Sequence, residues 1–218
     1  MRFRACFVLF MERKQMDVLP KNDPRLERIL ITSDEISDRV TSLACEIRAV
    51  YGEENDLCIV GILKGASVFM TDLARALCRA GMPGITMVFV RASTYGDTIK
   101  ETGETVRRVK LDLLGANIRS KNILIVDDIL DQGFTLSAIR EKMKQEYPDA
   151  NIKTCVFLKK NLAHPSDEAA ALRRKYKADF TGFEVEDRWV VGYGLDAGEC
   201  YRELPYIAIA NEECFRHG

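Results

Sequence analysis

The sequence predicts an α/β fold, a mostly parallel central sheet flanked by helices. Continuous apolar runs of strand length recur at residues 57–63 ("LCIVGIL"), 85–90, 123–126 and 152–158. Runs without polar alternation suit strands buried on both faces of a parallel sheet. Segments with helical spacing of apolar residues separate them, and strands alternating with helices characterise this class.

The first helix opens at Thr32-Ser33-Asp34-Glu35, a capping-box pattern, and Ile36, Val40, Leu43, Ile47 and Val50 carry it through Tyr51. After the 57–63 run comes Lys64-Gly65-Ala66, then a helix to about Ala80, with Gly81 as C-cap and Pro83 beyond. Residues 91–105 ("RASTYGDTIKETGET") are polar and contain glycine, which fits a functional or mobile loop. An ordinary long hairpin is the alternative, since "VRRVKLDL" alternates like an exposed strand. A further helix is expected over 135–146, and short strands over 180–185, 189–193 and 206–210. No repeat or low-complexity linker divides the chain.

Residues 1–11 ("MRFRACFVLFM") loosely mimic a signal peptide, but the apolar run is minimal and "ERKQ" follows without a small-residue cleavage site. Residues 1–15 are therefore read as an N-terminal extension, consistent with an upstream, non-native start, ahead of a single domain at 16–218. The seven cysteines are odd in number, include no C-x-x-C, and mostly sit in apolar segments, as reduced thiols of a cytoplasmic protein do. Only His164 and His217 could add imidazole ligands, which weighs against zinc. A net charge of −1 gives no footprint for nucleic acid, and no stretch approaches the ~20 apolar residues that span a bilayer.

The stretch "ILIVDDILDQGFTL", beginning at Ile123, drives an apolar strand into two adjacent like charges, Asp127 and Asp128. The turn Asp131-Gln132-Gly133-Phe134-Thr135 then enters a helix. Unpaired N–H groups of a first helical turn attract anions, and Gly133 permits close approach of backbone to ligand. Neither a Walker loop nor G-x-G-x-x-G is present. Two readings stand on spacing alone: a phosphate cradle, or an ordinary turn with an aspartate cap. Carboxylates suit ribose hydroxyls and hydrated magnesium, so a cradle beside an acidic pair points to a ribose 5-phosphate.

"VDDILDQGFTL" resembles the phosphoribosyl-pyrophosphate (PRPP) motif of type I phosphoribosyltransferases. "LKG" at 63–65, "STYG" at 93–96, "FLKK" at 157–160 and "DRWVVGYGLD" at 187–196, followed by Arg202, occur in the order of the 6-oxopurine branch, the hypoxanthine-guanine phosphoribosyltransferases. The resemblance spans roughly residues 28–211. It implies the type I fold with a small hood subdomain and transfer of phosphoribosyl from PRPP to N9 of hypoxanthine or guanine, giving IMP or GMP and pyrophosphate. By the same resemblance Asp127 and Asp128 hold the ribose hydroxyls and, with Asp196, bind Mg²⁺. Asp131 takes the purine N7 proton, and the backbone of Asp131, Gln132, Gly133, Phe134 and Thr135 binds the 5-phosphate. Lys64 and Gly65, joined by a cis peptide, contact pyrophosphate together with Arg202. The Thr94-Tyr95 loop closes over the centre. Lys159 donates to the 6-oxo group, Trp189 stacks on the base, the Val190 backbone reads its 2-position, and Arg188 and Asp196 complete the base site. A homodimer or homotetramer is implied, with no nucleic-acid or membrane partner.

Each residue also has a plainer reading: Lys64, Lys159 and Lys160 as solvated cations, Trp189 as half-buried core, Asp196 as a turn cap. Gln132, Phe134 and Ala197-Gly198 depart from the family pattern, Gln132 by removing a hydroxyl from the cradle. A non-catalytic, RNA-binding regulator on the same fold and a xanthine-preferring transferase are the competing readings.

Overall fold

Thr32 opens the first helix as predicted. Its hydroxyl accepts the Glu35 N–H, while the Glu35 carboxylate takes the Thr32 N–H at 2.8 Å. The computed structural model describes residues 17–20, 23–52, 56–99, 105–112 and 118–215, without the side chains of 93–111. Along α1 (Ser33–Tyr51), Ile36, Val40, Leu43 and Ile47 are buried, whereas Val50 is exposed.

A six-stranded sheet follows the order β4 (Thr105–Asp112), β3 (Thr86–Ile99), β2 (Leu57–Leu63), β5 (Asn122–Leu130), β6 (Asn151–Asn161), β7 (Phe180–Glu186). Five of these strands run parallel, and β4 is an antiparallel edge. The period-2 alternation of strands sorts their side chains. Ile59, Leu124, Val126, Cys155 and Phe157 join the core under α1 and α2 (Ala66–Arg79). Cys58, Val60, Ile123, Ile125 and Val156 join Leu136, Ile139 and Met143 of α3 (Phe134–Glu146) on the other face. Both faces are covered, which is why these strands read as unbroken apolar runs.

A separate three-stranded sheet of β1 (Leu26–Ile31), β9 (Ile207–Ala210) and β8 (Val190–Val191) packs Leu26, Val191, Tyr201, Tyr206 and Ala208 into a small third cluster. It is the hood that the resemblance implied. Among the described residues, no helix is long and apolar enough to cross a membrane.

Several expectations need correction. β1 and α4 (Asp167–Lys175) were not anticipated. Residues 91–99 are not a loop but the continuation of β3, paired with β4 from Arg91↔Asp112 to Ile99↔Thr105. The hairpin alternative holds there, because alternation on an edge strand survives high polarity. The strand expected over 189–193 keeps only Val190 and Val191. Gly192 has φ +102 and a Cβ there would meet the Tyr206 carbonyl at 2.0 Å, so the chain must turn. The cis peptide joins Leu63 to Lys64, one residue earlier than expected.

Candidate active site

Ligands of parallel α/β sheets bind beyond the carboxyl ends of the strands. The ends of β2, β5 and β6 carry Lys64-Gly65, Asp127-Asp128 and Lys159-Lys160. β5 does not stop at the aspartates but runs through them to Leu130, with Asp127 opposite Val156. Alternation then sends the two carboxylates to different places. Asp127 is only 5% exposed, and its Oδ1 accepts the Asp128 N–H at 3.1 Å. Asp128 turns to Gly65, and its Oδ1 accepts the Ile129 N–H at 2.8 Å.

Burial, and then the charge of Asp128, pushes the Asp127 carboxyl well above the usual carboxylate range. Burial likewise raises Asp128. A pair this short of countercharge suits a cation or a set of hydroxyl donors. No group of three or more His, Cys, Asp or Glu able to hold a metal occurs among the described residues. Two adjacent carboxylates fit a hard divalent ion whose remaining ligands are substrate or water oxygens.

Glycines allow the surrounding turns to close on this pair. A Cβ on Gly65 would lie 1.5 Å from Asp128 Oδ2, and one on Gly194 would lie 2.1 Å from the Gly65 carbonyl oxygen. The β2 turn is thus sandwiched between Asp128 and the 192–195 turn. Tyr193, at φ 48, anchors that turn by donating to Asp72 at 2.8 Å and packing on Phe157 at 4.8 Å.

Past Leu130 the chain bends at Gly133, whose φ of +91 favours glycine, and enters α3 with no side-chain cap bond. The aspartate-cap alternative is therefore absent, and the positive end of the helix dipole faces the turn, where it favours an anion. Thr135 and Phe134 are half-buried there, and Gln132 is exposed.

Asp128, Ile129, Asp131, Lys160, Trp189, Val190, Leu195 and Asp196 line one cavity of about 450 Å³. Lys160 Nζ lies 3.4 Å from Asp131 Oδ2. Trp189 rests against Phe215, with ring centroids 5.1 Å apart. Arg202 Nη2 meets Asp196 Oδ1 at 2.8 Å, and Nη1 donates to the Gly194 carbonyl at 2.7 Å. Its buried Nε has no partner among the described residues, an unmet cationic donor beside the acids. Lys64 Nζ reaches Glu199 at 2.9 Å, and Arg202 Nη2 lies 3.5 Å from the same carboxylate.

Two predicted base contacts are engaged by carboxylates. Lys159 pairs with Glu184 at 2.7 Å, and Lys160 rather than Lys159 lines the cavity. Arg188 pairs with Glu27 of β1 at 2.6 Å. Thr94 and Tyr95 lie in β3, opposite Val109 and Arg108, and their side chains fall outside the described residues. Glu199, Glu184 and Arg173 are site neighbours that no motif signalled, because each acts through a pairing visible only in three dimensions.

A family model for the phosphoribosyl transferase domain matches residues 32–197. Hypoxanthine-guanine phosphoribosyltransferase of Aquifex aeolicus is 39% identical over 85% of this chain and 95% of its own length. The enzyme of that name from Dictyostelium discoideum is 34% identical over 86% and 97%. A solved hypoxanthine phosphoribosyltransferase from Staphylococcus aureus superposes with a TM-score of 0.70 at 30% identity, covering 90% of this chain and 99% of that one. The ordered motifs, the hooded parallel sheet and these similarities agree: the chain belongs to the phosphoribosyltransferases, in their hypoxanthine-guanine phosphoribosyltransferase branch.

Proposed function

We propose that this protein is a purine-salvage enzyme that transfers 5-phosphoribosyl from PRPP to N9 of hypoxanthine or guanine, releasing pyrophosphate and IMP or GMP. One observation carries the reading: a helix start at Gly133 without a side-chain cap follows the adjacent acids Asp127, which is buried, and Asp128, which is half-buried. Phosphate and vicinal hydroxyls of one ribose 5-phosphate fit that adjacency.

The backbone N–H groups from Asp131 to Thr135, in the turn and the start of α3, bind the 5-phosphate, and Asp127 and Asp128 accept from the ribose hydroxyls. The backbone cradle carries this role despite the exposed Gln132. Trp189 and Ile129 flank the base, the Val190 backbone reads its 2-position, and Lys159 donates to the 6-oxo group once released from Glu184. Asp131, held at the cavity edge by Lys160, takes the proton from purine N7 and raises the nucleophilicity of N9. Lys64, Gly65 and Arg202 take the leaving pyrophosphate, displacing Glu199 from the two cations. Positive charge at these residues acts where negative charge develops, the most effective form of electrostatic assistance. Asp127, Asp128 and Asp196 would hold Mg²⁺, which neutralises pyrophosphate charge when bound. The Thr94-Tyr95 hairpin excludes water from the centre.

The functional unit is a single domain over residues 16–218, since Asp17 already reaches Ser33 Oγ at 2.9 Å and so ties the entering chain to α1. We place it in the cytoplasm as a homodimer or homotetramer. The test is to mix PRPP and hypoxanthine with the protein, with and without divalent cation. IMP forms with Mg²⁺, stops after thorough chelation and resumes on adding Mg²⁺ back. Full activity after chelation would remove the metal from the account.

A further inference from the structure

Arg173 of α4 makes contacts at both walls of the cavity from behind. Its Nη1 donates to the Asp131 carbonyl and, at 3.5 Å, to that of Leu130. Its Nη2 donates to the Lys160 carbonyl at 2.6 Å. The last rung of the β5–β6 ladder is Leu130↔Lys159. Immediately beyond it the chains diverge, one into the turn and the other along β6. The guanidinium spans the two carbonyls at that divergence and takes the place of the next rung.

α4 is fixed firmly enough for this. Ser166 caps it by accepting the Ala169 N–H at 3.2 Å, and Ala169 is fully buried. Just past its end, the Tyr176 hydroxyl donates to Glu141 of α3. The Arg173 stem lies on the turn itself, where a Cβ on Gly133 would come 3.4 Å from Arg173 Cγ. Gly133 thus serves both the left-handed bend and the seat of this arginine.

We propose that Arg173 is a positioning residue that sets the distance between the Asp131 turn and the Lys159–Lys160 strand end, and so the register of base against ribose. This rests on the reading of the cavity as the base and ribose site. Arg173 touches no substrate. A planar fork with donors on two nitrogens can hold two carbonyls at a fixed separation, which a lysine ammonium cannot. Reaction geometry is sensitive at this scale: a displacement of ~1 Å can reduce rate by ~10²-fold.

Arg173→Lys and Arg173→Met in the full chain test this. Fluorescence of Trp189, the only tryptophan, reports base-site occupancy. Both variants lose about ten- to a hundredfold in kcat/KM for hypoxanthine, and exchange of the amides at 131–135 accelerates. Magnesium-PRPP affinity, read by calorimetry, falls by a smaller factor than kcat/KM for hypoxanthine, because only the 5-phosphate turn loosens while Asp127 and Asp128 keep the ribose hydroxyls. Restoration of wild-type kinetics by Arg173→Lys overturns the proposal, since charge alone would then suffice. Equal loss of PRPP and base binding also overturns it, as general destabilisation. Should Arg173→Met not fold, Arg173→Lys decides alone. Unchanged amide exchange at 131–135 in Arg173→Lys refutes the clamp whether or not the protein turns over. A wild type inactive with every base instead refutes the proposed function.

Discussion

Replacing Gly65 by alanine adds one methyl group at the tightest point of the site. The backbone there, φ −58 and ψ −43, is right-handed and accepts alanine without strain. The space does not: the new Cβ would stand 1.5 Å from Asp128 Oδ2 and 2.6 Å from its Cγ. Asp128 must then rotate away, abandoning the Ile129 N–H that it holds at 2.8 Å. If Asp128 binds a ribose hydroxyl, the substitution removes one charge-assisted hydrogen bond, worth about 1.5–3 kcal/mol. That corresponds to a rise of about ten- to a hundredfold in the KM for PRPP. Initial rates against PRPP at saturating hypoxanthine measure it, with thermal unfolding as control. A variant with unchanged melting temperature and unchanged PRPP KM would show that Asp128 does not read the ribose.

Asp131→Asn keeps shape but cannot accept a proton, so kcat falls by about 10²–10⁴ while PRPP KM moves much less; Gly133, not Asp131, occupies the α3 N-cap position, so no helix cap is lost and the melting temperature should hold. Asp127→Asn stabilises the ligand-free, metal-free protein. The folded carboxyl is raised above its unfolded value, so ionisation disfavours the folded state, and that penalty grows as pH rises. The gain in Tm, about 2–4 °C per kcal/mol, is therefore larger at about pH 8 than at about pH 4, and a loss of Tm at both would contradict it. A chain starting at Met16 keeps the activity and melting temperature of the full chain, whereas a marked fall in Tm would show that residues 1–15 contribute to the fold.

The parts of this fold legible in the sequence were those whose burial leaves a pattern. Strands β2, β5 and β6 are covered on both faces, so Ile59, Val60, Leu124 and Ile125 sit in unbroken apolar runs. β1 was missed because the middle of its burial pattern is open and its partner β9 lies at the other end of the chain. α4 buries only Ala169, which leaves no apolar stripe to detect, and the one local signal, Ser166 followed by Asp167 and Glu168, was not read. The candidate site was legible for a different reason. Neighbouring parallel strands end on one edge, so short motifs far apart in sequence converge there by topology. What stayed hidden are contacts through backbone or through a pairing partner. Arg173 binds carbonyls, Lys159 is engaged by Glu184, and Arg188 turns to Glu27, and none of these choices is written in local sequence.

The central claim is transfer of phosphoribosyl to a 6-oxopurine, and a base panel tests it most directly. Incubate the protein with PRPP and Mg²⁺ and each of hypoxanthine, guanine, xanthine and adenine, and quantify nucleotide and pyrophosphate together. Hypoxanthine or guanine should yield IMP or GMP with equimolar pyrophosphate. Adenine should lag by ~10⁴-fold or more, because its amino group would leave buried donors facing each other. Efficient turnover of adenine, or no nucleotide from either hypoxanthine or guanine, would contradict it.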